Sequence, residues 1–448
     1  MKRLEFKDRF KLCKGINGKY SPMTMYYAIL KNPVFILLYP FMIFFSFVLA
    51  IPHYLIELFY LVCKFIKYHL LVATKGKYEV NNLIKPIAFY LPQFHEIEEN
   101  NRWWGQGFTE WTNVKKAVPL FDDHYQPHIP HKDIGYYDLS DVNVMKKQAK
   151  IAKDFGLYGF CFYYYHFADG KRLLEKPINN WLKAKDIDFP FCFAWANENW
   201  TRTWDGGDKD VIMPQDYDQE NMLSMLIDMI QAFKDERYIK IDNKPVLLIY
   251  RAEIIPNIKN TTKLWRKTAK ENGFDDLYLI SVQNFRQENP FNMGFDAAVE
   301  FAPQISGKTF CWPMINIEKF QNIQKPTIGR YENVIDTHLN FGRVSYPRYK
   351  CVCPAWDNSP RRGNRSPRLL IGSTPQLFGK FYKKAAIVTL ENPKTKDNGL
   401  LFINAWNEWG EGAHLEPDEK YGYAWLEEIK KVQNMKIKDL GKRSKDNV

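Results

Sequence analysis

Eight short apolar runs punctuate the body of this chain, at residues 87–91, 159–164, 190–196, 245–250, 277–282, 297–301, 350–354 and 400–405. Runs of this length, mostly apolar and not only at alternate positions, read as strands buried on both faces, the habit of parallel sheets. Amphipathic stretches with helical spacing lie between many of them: 142–155 behind the capping pair Ser140/Asp141, then 221–233, 375–389 and 424–432. Strands alternating with helices imply an α/β protein with a parallel sheet, and eight such units predict a closed (β/α)8 TIM-like barrel over residues 81–430. A doubly wound open sheet is the alternative, but no Gly-x-Gly-x-x-Gly turn follows the first run.

A barrel of this kind gathers its functional side chains just past the carboxyl ends of the strands. Gln93, His95, Trp103, Trp104, Glu110 and Trp111 follow the first run; Tyr164 and His166 end the second; Trp195, Asn197, Glu198, Asn199 and Trp200 end the third. The last run opens into Asn404, Trp406, Asn407, Glu408, Trp409 and Glu411. Were the chain helical there, Glu408 and Glu411 would leave one side with Cβ atoms roughly 5–6 Å apart. Two carboxyl groups at that spacing, framed by tryptophans, suit acid/base work on a glycosidic bond, with Glu408 and Glu411 catalytic and the other residues above holding substrate. A surface acidic pair is the plainer reading of any Glu-x-x-Glu, and the flanking strand and indoles weigh against it.

Other motifs carry less. His124, His128 and His131 share a loop with Pro127 and Pro130, which forbid a regular helix that would aim them at one metal. Asp208/Asp210 and Asp186/Asp188 both match the Asp-x-Asp of metal-dependent nucleotide-sugar enzymes, and two hits show how cheap that pattern is. Arg361, Arg362, Arg365 and Arg368 could grip a phosphate or acidic glycan, or form a solvated basic loop. No metal site and no cofactor is expected. The seven cysteines show no disulfide or zinc spacing and read as free thiols of a reducing compartment.

The ends differ from the body. Residues 1–80 hold 12 Lys/Arg against 4 Asp/Glu and residues 429–448 hold 7 against 2, which leaves the rest near neutral within a total of +12. Basic ends on a neutral body argue against nucleic-acid binding and for an anionic membrane surface. Residues 33–56 carry no Asp, Glu, Lys or Arg, enough to cross a bilayer as a helix, and 53–73 continue as an amphipathic stretch. We therefore expect a basic region, 1–80, with a single anchor or re-entrant hairpin, ahead of the barrel, and a basic tail over 431–448. The barrel is expected on the cytoplasmic side of an inner membrane, although both flanks of the segment are positive. Oligomeric state leaves no mark in the sequence.

Phe89-Tyr90-Leu91-Pro92-Gln93-Phe94-His95, Gly107-Phe108-Thr109-Glu110-Trp111, His124-Tyr125-Gln126-Pro127-His128, Trp195-Ala196-Asn197-Glu198-Asn199-Trp200 and Asn404-Ala405-Trp406-Asn407-Glu408-Trp409-Gly410-Glu411-Gly412 occur in that order. In these stretches the chain resembles the WbsX-like glycosyltransferases of bacterial surface-polysaccharide gene clusters. That group is in turn distantly similar to the glycoside hydrolase family ninety-nine endo-α-mannosidases, (β/α)8 enzymes with a comparable Asn-Glu-Trp-x-Glu-Gly motif. The resemblance implies that Glu408 assists at the sugar 2-hydroxyl and Glu411 acts as acid, then base; the mannosidase motif has His where Gly410 stands. The expected function is a membrane-associated glycosyltransferase acting on an oligosaccharide or lipid-linked glycan in O-antigen or capsule-type assembly. The alternatives are an endo-acting hydrolase of the endo-α-mannosidase type, a nucleotide-sugar transferase, and a non-catalytic glycan-binding barrel.

Overall fold

The computed structural model describes residues 59, 62–63 and 65–441, apart from 203–206, 285–286, 304–325, 340–343, 364 and 396. The chain divides into two compact units, 1–70 and 71–448. In the first, the described residues are helical and expose Phe59, Val62, Phe65, Ile66 and Leu70. Among the described residues no helix is long and apolar enough to cross a membrane; the expected segment 33–56 lies outside them.

The second unit is built on parallel strands: β1 (Lys85–Tyr90), β2 (Gly159–His166), β3 (Phe191–Trp195), β4 (Lys244–Ile249), β5 (Tyr278–Gln283), β6 (Ala297–Glu300), β7 (Arg348–Tyr349 with Cys351–Val352) and β8 (Leu400–Ile403). Each pairs with the next in sequence, and β1 pairs with β8, Ile87 opposite Phe402. The short β7 closes the sheet. Arg348 and Tyr349 pair with β6, whereas Cys351 and Val352 pair with β8, and only Lys350 stands between. The result is a TIM-like barrel of eight staves, with two-residue antiparallel additions on β2 and β4.

Helices follow the strands: Glu98–Trp104, Glu110–Lys116 and Val142–Asp154 after β1, then Glu175–Lys183, Gln219–Phe233, Ile258–Glu271, Tyr331–Leu339, Pro375–Glu391 and Ala424–Gln433. Asp141 caps its helix through a bond from the Asn143 amide, as its sequence suggests. One unit departs from the expected alternation: β5 and β6 are joined by a short 3-10 turn, Pro290–Met293, which Pro290 and Gly294 limit to a single turn.

Strand alternation sorts the side chains. On β2, Phe160 and Phe162 point outward against Trp181, with ring centroids 5.9 and 5.1 Å away. The opposite phase faces the barrel axis, where Tyr163 stacks on Phe89 at 5.6 Å and Phe301 meets Phe89 at 5.4 Å. Cys161, Cys192, Cys351 and Cys353 are buried free thiols, and burial raises Cys161, Cys351 and Cys353 away from the reactive thiolate. At the other end of the chain Ile437 and Leu440 are buried, and Ile437 donates to the Tyr78 carbonyl.

Closure through four β7 residues leaves few ladder bonds at this seam, and a buried ion pair supplements them. Lys350 Nζ lies 2.7 Å from Glu300 Oε1 and 2.7 Å from the His338 carbonyl, with Arg348 Nε 3.3 Å from the same carboxylate. Burial opposes ionisation of Glu300, and the two cations pull the other way. Removing one partner of a buried pair strands the other, so Lys350→Met should cost about 3–5 kcal/mol. Denaturant unfolding checks this; a loss below about 1 kcal/mol would mean that the seam closes without the pair.

Candidate active site

Three carboxylates from two strand-end loops converge on one guanidinium from a third. Arg361 sits on a one-turn helix, Ser359–Arg362, in the loop after β7. Its Nε lies 2.6 Å from Glu110 Oε1, its Nη2 2.8 Å from Glu408 Oε2 and its Nη1 3.0 Å from Glu411 Oε1. Glu110 opens the helix after β1, where a Thr109/Thr112 capping box fixes the turn. Glu408 and Glu411 flank a tight hairpin after β8: Asn407–Glu408 pairs antiparallel with Ala413–His414 across the 3-10 turn Trp409–Glu411. The segment is therefore not the expected helix, yet both carboxylates meet the same cation.

The hairpin depends on two glycines. Gly412 has φ +59°, a left-handed conformation that side chains disfavour. A Cβ on Gly410 would lie 2.1 Å from Glu110 Oε1 and 2.8 Å from Arg361 Nε, so a side chain there would push into the cluster.

Burial and mutual repulsion resist ionising the acids, and Arg361 resists their protonation. The Glu408 carboxyl is pushed up to about 8, chiefly by burial with Arg361 opposing; Glu411 shifts up for the same reasons. The cluster thus retains a proton near neutrality, shared by the acids as a unit. Glu110 is fully buried and Glu408 nearly so, whereas the Glu411 side chain is 22% exposed. Tyr163 and Tyr165 face this group: burial and the Glu408 charge hold both hydroxyls protonated. Such a set can donate a proton, accept one, and hold a developing positive charge.

Of the residues expected to bind substrate, some assemble here and others brace the scaffold. Gln93 donates its side-chain amide to the Tyr165 hydroxyl at 3.0 Å and accepts the Glu110 backbone amide through its backbone carbonyl. Trp200 packs edge-on to Tyr165 and to Trp103, extending a half-buried aromatic wall. Trp104 leans on Phe108. Glu198 pairs with Arg251, a separate ion pair from the Arg361 cluster. Tyr164, His166 and Trp195 turn outward in the strand alternation: Tyr164 meets Arg172, His166 approaches Asp228, and Trp195 packs on Trp265. His95 bonds the Pro92 carbonyl; Asn197 clamps the Arg251 backbone in both directions; Asn199 accepts the Gln215 amide; Asn404 donates to the Ala302 carbonyl. Asn407 grips both backbone groups of Leu91, at 2.7 and 3.0 Å, and ties β1 to the hairpin. Trp111, Trp406 and Trp409 are buried, and Trp409 packs between Trp111 and His414.

Sequence reasoning left out Tyr163, Tyr165 and the inward turn of Arg361. It also passed over Glu416, whose fully buried carboxylate accepts from Trp409 Nε1, the Tyr137 hydroxyl and Gln148 Nε2, each at 2.7 Å. Through Trp409, Glu416 fixes the turn that carries Glu411. Burial pushes it up to about 7, from an unfolded value near 4.3. Between those values the unfolded chain releases a proton that the native protein keeps, so this group lowers stability as pH rises and adds no slope above about 7. Glu416→Gln should therefore flatten the fall in Tm between pH 5 and 7 by one proton's release; an unchanged slope would place the native carboxyl at its ordinary value.

The profile of the family described as Glycosyltransferase WbsX matches residues 86–429. Two curated relatives, each called Uncharacterized protein WxcX, from strains of Xanthomonas campestris pv. campestris, are 39% identical over 347 and 345 residues, 76% of this chain and 48% of theirs. The chain thus spans about half the length of these relatives. Among solved structures, a glycoside hydrolase-like protein superposes with TM-score 0.50 at 14% identity, covering 80% of this chain and 96% of its own, which shows a shared fold. The GH99 endo-alpha-mannosidase from Bacteroides thetaiotaomicron gives 0.48 at 13%, covering 78% and 96%. The chain belongs to the WbsX glycosyltransferase family.

Proposed function

We propose that this protein transfers a glycan onto a sugar acceptor during assembly of a cell-surface polysaccharide, working beside the membrane on an oligosaccharide or lipid-linked intermediate. The observation that carries this reading is the convergence of Glu110, Glu408 and Glu411 on Arg361 past the strand ends of a TIM-like barrel. Glu411, the most exposed of the three, protonates the leaving oxygen and then takes the proton of the incoming hydroxyl. Glu408, deeper and facing Tyr163 and Tyr165, assists at the sugar ring. Arg361 supplies the positive charge that lets one acid ionise while another keeps its proton. Trp103 and Trp200 offer faces for sugar rings.

Membrane association is supported by the uncharged residues 33–56 and by the apolar side chains exposed on the helix that follows them. The proposed location is the cytoplasmic face of an inner membrane. Hydrolysis by an endo-mannosidase-like route is the second reading, favoured by the Asn-Glu-Trp-x-Glu-Gly stretch and differing only in that water arrives second.

Incubating purified protein with an oligosaccharide repeat, with and without acceptor, separates these readings by product mass: transfer lengthens the acceptor, and hydrolysis releases reducing sugar alone. Glu411→Gln and Glu408→Gln should each lower turnover about 10²–10⁴-fold. Full activity in both variants would point to a non-catalytic barrel or to chemistry elsewhere. Arg361→Met should move the pH–rate profile to higher pH, because both acids lose the cation that favours their ionised forms; an unmoved profile would remove Arg361 from the site.

A further inference from the structure

The exposed lysines of the barrel unit crowd one corner of it. Residues 71–85 and 430–441 carry seven of them, among them Lys75, Lys77, Lys431 and Lys436, against one exposed acid, Glu79, and the half-buried Asp439. Backbone bonds hold the two segments together: Ile437 donates to the Tyr78 carbonyl, Lys438 to that of Gly76 and Val80 to that of Met435. Gln433 Nε2 reaches the carbonyls of Ile84 and Gly156, which lie just ahead of β1 and β2, so the corner sits at the amino ends of the staves. Tyr78, 43% exposed, stands among these lysines. Leu71, where the barrel unit begins, lies on the helix that ends just before Gly76.

The catalytic carboxylates sit past the opposite ends of the same strands. Six β1 residues at about 3.3 Å each, in strands tilted about 36°, put roughly 16 Å of barrel between the two ends. That is about twice the ~8 Å Debye length at physiological salt, so a charged plane meeting the lysines acts weakly on the mouth. The mouth-side stretch 91–129 mixes signs, with exposed Glu96, Glu98, Asp122 and Asp123 against Arg102, Lys115 and Lys116. Clustered lysines around a half-exposed tyrosine match a plane of anionic headgroups, where basic residues and aromatic tips are both favoured. A second copy of the chain is a poorer partner, because a two-fold contact would set like charges against each other.

We propose that this amino-end face rests on an anionic bilayer surface and turns the catalytic mouth away from it. The partner rests on the proposed membrane association; the face belongs to the barrel unit alone. With the mouth across the barrel from the lipid, the reacting bond lies among sugars remote from the lipid attachment. The substrate is then a glycan of several rings and not a lipid-linked monosaccharide.

Energy transfer to acceptor-labelled lipid tests this on the full chain, in phosphatidylcholine vesicles with and without phosphatidylglycerol. The donor fluorophore is placed at Asn81, exposed on the lysine face, or at Val118, 62% exposed on the mouth side. On anionic vesicles, transfer from position 81 should exceed that from 118 by about threefold or more, and the preference should shrink in high salt. It should shrink likewise in the variant Lys75→Glu/Lys77→Glu/Lys431→Glu, whose exposed positions leave the core untouched. Equal transfer from the two sites, or stronger transfer from 118, overturns the orientation while membrane association stands. A preference unchanged on neutral lipid and in the triple variant overturns the role of the lysines. Failure to bind either vesicle overturns the proposal together with membrane association. A dimer in detergent, or binding of duplex DNA, that the triple variant abolishes while vesicle binding persists would give the face to another partner. In vesicles, turnover should rise about tenfold from a lipid-linked monosaccharide to a lipid-linked oligosaccharide. Equal turnover would overturn the substrate inference; none on either would count against the glycan function, with energy transfer still deciding the orientation.

Discussion

A guanidinium offers five N–H donors in a rigid planar fork, and in this protein three edges of that fork meet three carboxylates. Glu110 comes from the loop after β1, Arg361 from the loop after β7, and Glu408 and Glu411 from the hairpin after β8. These loops are neighbours because β1, β7 and β8 are adjacent staves of the closed sheet. Without the cation, buried acids at this density would hold their protons and none could act as a base. Much nearby serves the same arrangement: Gly410 clears space for Glu110 and Arg361, Asn407 ties the hairpin to Leu91, and Glu416 holds Trp409 beneath the turn.

The strands were legible because burial on both faces writes itself as continuous apolar sequence, and all eight expected staves exist within a few residues of their expected ends. The joint between β5 and β6 was less so, since a short polar stretch with Pro and Gly does not say whether it spans a helix or a turn. Glu408 and Glu411 could be found from their positions just past a strand end, and Glu110 from its place between Thr109 and Trp111 in the long stretch after β1. Arg361 could not be told from Arg362, Arg365 and Arg368, because a loop's composition does not reveal which side chain turns inward. Choosing Tyr164 from the run Tyr163-Tyr164-Tyr165 was an error of phase: outward Phe160 and Phe162 set the even positions against the helices.

The indoles and amides around the last strand point to a broader lesson. Trp111, Trp406, Trp409, Asn404 and Asn407 resemble sugar contacts in sequence, yet in the structure they satisfy backbone groups or fill space under the hairpin. A site that must hold several buried charges in register needs a stiff foundation, and large aromatics with amide clamps supply it. Under the proposed function, sugar-facing roles then fall to fewer residues, the tyrosines of β2 and the Trp103/Trp200 wall.

The most direct measurement of the proposed chemistry is a crystal structure of the Glu411→Gln protein soaked with an oligosaccharide repeat of the polysaccharide. An anomeric carbon should lie against residues 408 and 411, with its glycosidic oxygen toward 411 and the ring between Tyr165 and Trp200. A glycan bound with no anomeric carbon near either residue, while Arg361 keeps all its remaining carboxylate contacts, would contradict it.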